Sequence, residues 1–298
     1  MKKKSILFQW IYPTVFVLLA AFFLQTCGTV PITGRRQLLL VSDQEVLGLS
    51  ETQYKDFITT ASIEKNTTNA ALVEKVGKRI ASAVETYLRS NGLESEIQSL
   101  AWEFNLVNSS EVNAFCMPGG KIVVYTGILP ITQDESGLAT VLGHEVAHAI
   151  AKHSNERMSQ QVAVQYGGEI AGGLLGNSTK AQQLGNAVFG LGAQYGIMLP
   201  YARTQELEAD KLGLIFMSMA GYDPNTAVSF WQRMAQSSSG GTPEFMSTHP
   251  SDANRIEKIK AALPEALQYY KGAGVQNSGT VSSSLKSSVA KTSEEWKF

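Results

Sequence analysis

Cysteine is scarce in this chain of 298 residues: Cys27 and Cys116 are the only two. At most one disulfide could form, and none if Cys27 carries lipid, in which case stability has to come from packing. An excess of positive charge is also missing. The 25 Lys and Arg residues face 26 Asp and Glu, a formal charge of −1, and loss of Lys2, Lys3 and Lys4 with an N-terminal leader would make it −4. That balance argues against a nucleic-acid partner. Repeat arrays are absent. Histidine is nearly absent too, yet three of the four in the chain, His144, His148 and His153, fall within ten positions. What is abundant is apolar surface: 44% of residues are apolar and 17% charged, enough to bury the core of one medium domain with tails.

The N-terminus has three lysines followed by an uncharged stretch to Gly34, with a dense apolar block at 15–24. This is the layout of a secretory signal. It resembles a bacterial lipoprotein signal, with Leu24 three positions before Cys27, although Thr26 stands where Gly, Ala or Ser is usual. The alternative is an uncleaved anchor over 6–24, long enough to span a bilayer. Either way the bulk of the chain is expected outside the cytoplasm, tethered to a membrane of the cell envelope. If Cys27 carries lipid, Cys116 has no partner and reads as a small apolar residue on a strand.

After an extended lead-in over 27–41, Ser42 and Glu45 have capping-box spacing for a helix over 43–60. Leu72, Val76, Ile80, Val84 and Leu88 form the stripe of a second helix, with Asn69 as N-cap and Asn91-Gly92 as its stop. The period then changes to that of short strands at 102–107, 111–117 and 121–127, the last two joined by Pro118-Gly119-Gly120. Helical patterning resumes near Asp134 and continues to about Leu267. Residues 167–196 hold nine glycines, fitting close helix packing or a lid. The 272–298 tail, Ser/Gly-rich over most of its length, reads as disordered. The expected layout is a signal or anchor (1–26), the lead-in (27–41), one domain (42–271) and the tail, of α+β class: mainly α with a small β-sheet.

The chemistry is concentrated in His144-Glu145-Val146-Ala147-His148. On a helix, residues four apart share a face, so both imidazoles can reach one metal ion. Glu145 is turned by one step, beside the metal's open position, where it can take a proton from water. His153, five residues beyond His148 and nine beyond His144, faces away from the metal side of the same helix, which gives it a capping or packing role. Downstream, Glu206 and Asp210 are again four apart: Glu206 can complete a His-His-Glu set, and Asp210 can hold the free ring N–H of a ligand histidine. Glu208 points elsewhere and reads as solvated. Ordinary charged or unligated helix faces are the alternative for both segments.

"GHEVAHAIAKHS" followed by "YARTQELEADKLG" resembles the M48 metallopeptidases, the group that contains HtpX and the CaaX prenyl endopeptidases, and especially its secreted or lipoprotein bacterial members. The likeness extends to "PITGRRQLLLVSDQE", "NAFCMPGGKIVVYTGIL" and "THPSDANRI", covering roughly 30–265. The membrane spans of the polytopic members and the helical-repeat extension of the periplasmic ones are not found in this sequence. The resemblance implies a gluzincin domain, one zinc ion per chain on His144, His148 and Glu206, and Glu145 as general base. Protein or peptide substrates, unfolded envelope proteins among them, are expected to lie along Asn113, Ala114 and Phe115 by strand addition. In relatives the histidine of a comparable "HP" segment lies near the metal, so His249 is a candidate oxyanion donor or an inhibitory plug. Arg255 can pair with Glu206 or Asp210. The competing function is a non-proteolytic envelope binding protein or chaperone that keeps the fold, against which Glu145 argues. Oligomeric state cannot be read from the sequence.

Overall fold

In the computed structural model, residues 27–30, 32–174, 199–237, 243–249 and 254–271 are described. The expected leader (1–26), the tail (272–298) and 175–196 of the glycine-rich stretch lie outside them. Within the lead-in, β1 (Cys27–Thr29) pairs antiparallel with β2 (Arg36–Leu38). Helix α1 (Asp43–Thr60) starts on the expected capping box: Ser42 accepts from the Glu45 amide, and the Glu45 carboxylate accepts from the Ser42 amide. Helix α2 (Thr68–Ser90) starts earlier than Asn69, because the Thr67 hydroxyl takes the capping bond from the Ala70 amide at 3.1 Å. It stops at Asn91, where Gly92 adopts φ +71°. A single helical turn, α3 (Glu94–Ile97), leads into the sheet.

That sheet has the order β3-β4-β6-β5, with β3 (Ile63–Glu64), β4 (Glu103–Val107), β5 (Ala114–Met117) and β6 (Lys121–Tyr125). β5 and β6 form the expected hairpin, whose turn places Gly119 and Gly120 at φ +90° and +83°. β4 runs parallel to β6 and antiparallel to β3. Residues 111–113 stay outside the strand; the Asn113 side chain accepts from the Ala114 amide, and Val112 C=O accepts from the Phe245 amide. β5 therefore lies at one edge of the sheet. The molecule is α+β and mostly helical, as expected.

After the short α4 (Leu129–Thr132), α5 (Glu135–Ile150) runs through the centre of the core, nearly every residue from Gly137 to Ile150 buried. Such a helix, apolar on almost all sides, needs neighbours all round. They are α2, β5, α7 (Leu199–Met219) and α8 (Thr226–Ser237). α6 (His153–Leu174) follows α5 after a break, α9 (Glu244–Thr248) is a short helix, and α10 (Arg255–Leu267) packs on α7 and α8. None of the helices in the described residues is long and apolar enough to cross a membrane.

Two glycines set the distance between α5 and α7. A Cβ on Gly213 would fall 2.8 Å from the His144 amide nitrogen, and one on Gly143 would fall 2.7 Å from Gly213 O. Backbone meets backbone here, so no side chain can give way. Gly213→Ala is expected to destabilise the protein by about 1–3 kcal/mol, as overpacking does, and to weaken metal binding by separating His144 from Glu206. Chemical denaturation and metal titration of the variant check both effects.

Candidate metal centre

Asp134 caps α5 through its carboxylate, which accepts from the Gly137 amide at 2.8 Å. No proline interrupts the helix, so His144 and His148 stand one turn apart on the same side, their Nε2 atoms 3.1 Å from each other. Glu206 arrives from α7 with Oε2 3.3 Å from His144 Nε2 and Oε1 3.4 Å from His148 Nε2. Ligands about 2.0–2.1 Å from a tetrahedral zinc ion are about 3.3 Å apart, so the spacing fits such an ion. Glu206 Oε2 is also buried without an aligned hydrogen bond, which a cation between these atoms would answer. His249 reaches the same point: one donor atom from each of His144, His148, Glu206 and His249 lies within 4.8 Å of all the others. Glu145 Oε1 is 3.3 Å from His249 Nε2.

The far sides of the two imidazoles are held differently. His144 Nδ1 lies 2.9 Å from Asp210 Oδ1, the contact that its spacing from Glu206 predicts. Arg255 donates to both Asp210 oxygens at 2.8 and 2.7 Å, stacks over Trp231 at 3.5 Å, and comes within 3.7 Å of Glu206. His153 departs from expectation. α5 breaks at Ala151, and Lys152 adopts φ +59°, which turns the chain so that His153 Nδ1 lies 2.8 Å from His148 Nδ1. Glu208 is likewise not solvated. It is wholly buried, 3.0 Å from His153 Nε2 and 2.7 Å from Arg35 Nε, because the lead-in covers that face of α7. Spacing within α7 alone gives no sign of this cover; the "GRR" of the lead-in is the only local hint. Cys116 is buried on β5, and burial together with the Glu145 charge pushes its thiol pKa up, away from reactivity.

Burial and close partners compete in setting the charge at the site. Burial pushes the Glu145 carboxyl up, pulls His148 and His153 down to about 3, and pulls His249 down to about 4. For His144 burial also acts downward, but hydrogen bonds to Asp210 and Glu206 outweigh it and raise the pKa to about 9. The first three histidines are neutral when folded and take up protons near pH 6.5 when unfolded. Their stabilisation is thus complete above pH 6.5 and lost as pH falls toward 4 for His249 and toward 3 for His148 and His153, at up to about 1.4 kcal/mol per pH unit for each. That of His144 is complete below pH 6.5 and lost as pH rises through about 9. Guanidinium unfolding of the chelator-stripped protein is expected to show a midpoint that drops between pH 7 and pH 5; an unchanged midpoint contradicts this assignment.

Comparison with known proteins places this centre in a family. Residues 74–263 match the model of peptidase family M48. The chain is 34% identical over 264 residues to the mitochondrial metalloendopeptidase OMA1 of Schizosaccharomyces pombe, covering 87% of this chain and 73% of that protein. It is 30% identical to human mitochondrial metalloendopeptidase OMA1, covering 85% of this chain and 49% of the relative. The beta-barrel assembly-enhancing protease of Yersinia pestis is 32% identical over 182 residues, 57% of this chain and 37% of that protein. These matches carry the family and not the HtpX and CaaX grouping read from the sequence. The match spans the histidine helix, Glu206 and Arg255 together, and on it the chain belongs to peptidase family M48, a hydrolase of the zinc metalloendopeptidase type that acts on proteins.

Proposed function

We propose that this chain is a membrane-tethered endopeptidase of the cell envelope, in the secreted or lipoprotein branch of its family, with one zinc ion held by His144, His148 and Glu206. The observation that carries the ligand set is the convergence of three buried side chains, the two Nε2 atoms 3.1 Å apart and each within 3.3–3.4 Å of one Glu206 oxygen, with Glu206 Oε2 lacking an aligned hydrogen bond. Zinc held by His144, His148 and Glu206 would supply a Lewis acid for the scissile carbonyl and for water. Glu145 takes the proton of the attacking water and returns it to the leaving amine; burial raises its pKa toward the range that favours this exchange. Asp210, oriented by Arg255, fixes the His144 ring.

Substrate is proposed to add to the sheet along Asn113, Ala114 and Phe115, beside the edge strand β5. A cavity of about 260 Å³ next to the β5–β6 turn, lined by Leu47, Leu100, Pro118, Gly119 and His148 among others, leaves room for a substrate side chain. Backbone recognition tolerates many sequences, which suits clearance of unfolded envelope proteins. Attachment to the membrane is assigned to lipid on Cys27.

His249 is read as a plug. Its ring stacks on Phe245 with centroids 4.7 Å apart, its Nε2 is 3.3 Å from Glu145 Oε1, and it joins the cluster of ligand atoms, where it would compete with substrate for the metal's open position. His249→Ala is expected to raise casein cleavage several-fold; a collapse would instead assign His249 to the oxyanion, and no change would remove both roles. The function itself is tested by casein cleavage before and after chelation. Activity should vanish with the zinc and return when zinc is restored, whereas cleavage indifferent to the chelator would sink the proposal.

A further inference from the structure

The chemistry above uses the Nε2 side of His148 and leaves a buried charged cluster behind it unexplained. His148 Nδ1 is 2.8 Å from His153 Nδ1, and His153 Nε2 is 3.0 Å from Glu208 Oε2. Glu208 also accepts from the Thr33 hydroxyl and, at 2.7 Å, from Arg35 Nε. The other Arg35 nitrogens donate to both oxygens of Glu156 at 2.9 and 2.7 Å. His153, Glu156 and Glu208 are each 0% exposed.

The bonds fix one another's direction. A carboxylate only accepts, so His153 Nε2 carries the hydrogen and its Nδ1 carries a lone pair. His148 Nδ1 must then donate to it, which leaves the lone pair of His148 on Nε2, facing His144 and Glu206. A doubly protonated His153 is opposed by full burial and by the Arg35 guanidinium bonded to the same Glu208 oxygen. Held by Thr33 and Arg35, the Glu208 carboxylate fixes the His153 ring, and through it the His148 ring, as an outer partner that strengthens His148 as an electron donor.

We infer that His153 and Glu208 are positioning residues that hold His148 in the one tautomer able to bind a divalent cation. Thr33 and Arg35 lock this relay from the lead-in, only a few residues beyond Cys27. The segment next to the proposed membrane attachment is thereby wired to the metal site. The inference rests on the reading of His148 as a ligand.

The test is the zinc dissociation constant of the full chain, measured by competition with a chromophoric chelator, with thermal unfolding of the stripped protein recorded alongside. His153→Phe, which fills the space without an acceptor, is expected to weaken zinc binding by about 10- to 100-fold. His153→Gln, which can accept from His148 and donate to Glu208, should recover much of the loss. Thr33→Val should weaken binding several-fold with the fold intact. A folded His153→Phe that binds zinc within about twofold of the parent, or Gln performing no better than Phe, overturns the relay. If His153→Phe does not fold, unchanged affinity in Thr33→Val overturns it instead. His148→Ala separates the two levels: undiminished affinity there sinks the ligand reading itself.

Discussion

Glu145→Gln is expected to cut casein cleavage by about 10²- to 10⁴-fold, the usual worth of a general base, with zinc content unchanged. The substitution keeps the shape of a side chain that is 3% exposed, so packing around α5 should survive. What it removes is the proton acceptor beside the ligand atoms. The loss should appear in kcat with KM little altered, since Glu145 is assigned no part in holding substrate. Parallel zinc analysis and steady-state kinetics on the two proteins check this. Cleavage within tenfold of the parent would remove Glu145 from the mechanism and revive the non-proteolytic binding protein as the better reading.

The second large effect is on stability. Asp210→Ala should cost about 3–5 kcal/mol, because it removes both close bonds of a buried guanidinium and leaves it only the Glu206 carboxylate at 3.7 Å. Arg255 is 4% exposed and places two of its nitrogens 2.7 and 2.8 Å from Asp210. The stacking on Trp231 and the longer approach to Glu206 would remain but do not replace two hydrogen bonds to a carboxylate. Zinc affinity should fall with it, by about 10- to 100-fold, as His144 loses the partner of its Nδ1. Arg255→Met combined with Asp210→Leu removes both charges and should recover stability without recovering zinc affinity. Denaturant melts of the single and double variants, paired with zinc titrations, separate these two costs. A single variant as stable as the parent would show that the pair is not coupled to folding.

Much of the centre is legible from helical period alone. His144 and His148, and separately Glu206 and Asp210, are four apart, and the side each pair presents follows from 3.6 residues per turn. The Ser42–Glu45 capping box and the strand alternations are local signals as well, and α1, α2, the β5–β6 hairpin and α5 all lie close to where they are expected. Features that depend on distant chain segments were not legible. His153 looks as if it faces away because nothing near it in sequence stops α5; the stop is Lys152 at φ +59°, held by Asp43 at 2.7 Å and Glu96 at 3.0 Å. Glu208 looks solvated because the residues that bury it, Thr33 and Arg35, come from the lead-in. The parallel pairing of β4 with β6 across the intervening β5 has no local signature either. Gly143 and Gly213 acquire meaning only once α5 and α7 are seen to touch.

The most direct test of the central claim is X-ray absorption at the zinc edge of the purified full chain. The ligand set proposed here predicts nitrogen and oxygen scatterers at about 2.0–2.1 Å with multiple scattering from two imidazoles, or three if His249 is seated as a plug, and no sulfur. Loss of one imidazole in His148→Ala should accompany the loss of tight binding. A sulfur shell at about 2.3 Å, or a spectrum unaltered by His148→Ala, would place the metal elsewhere and contradict the account.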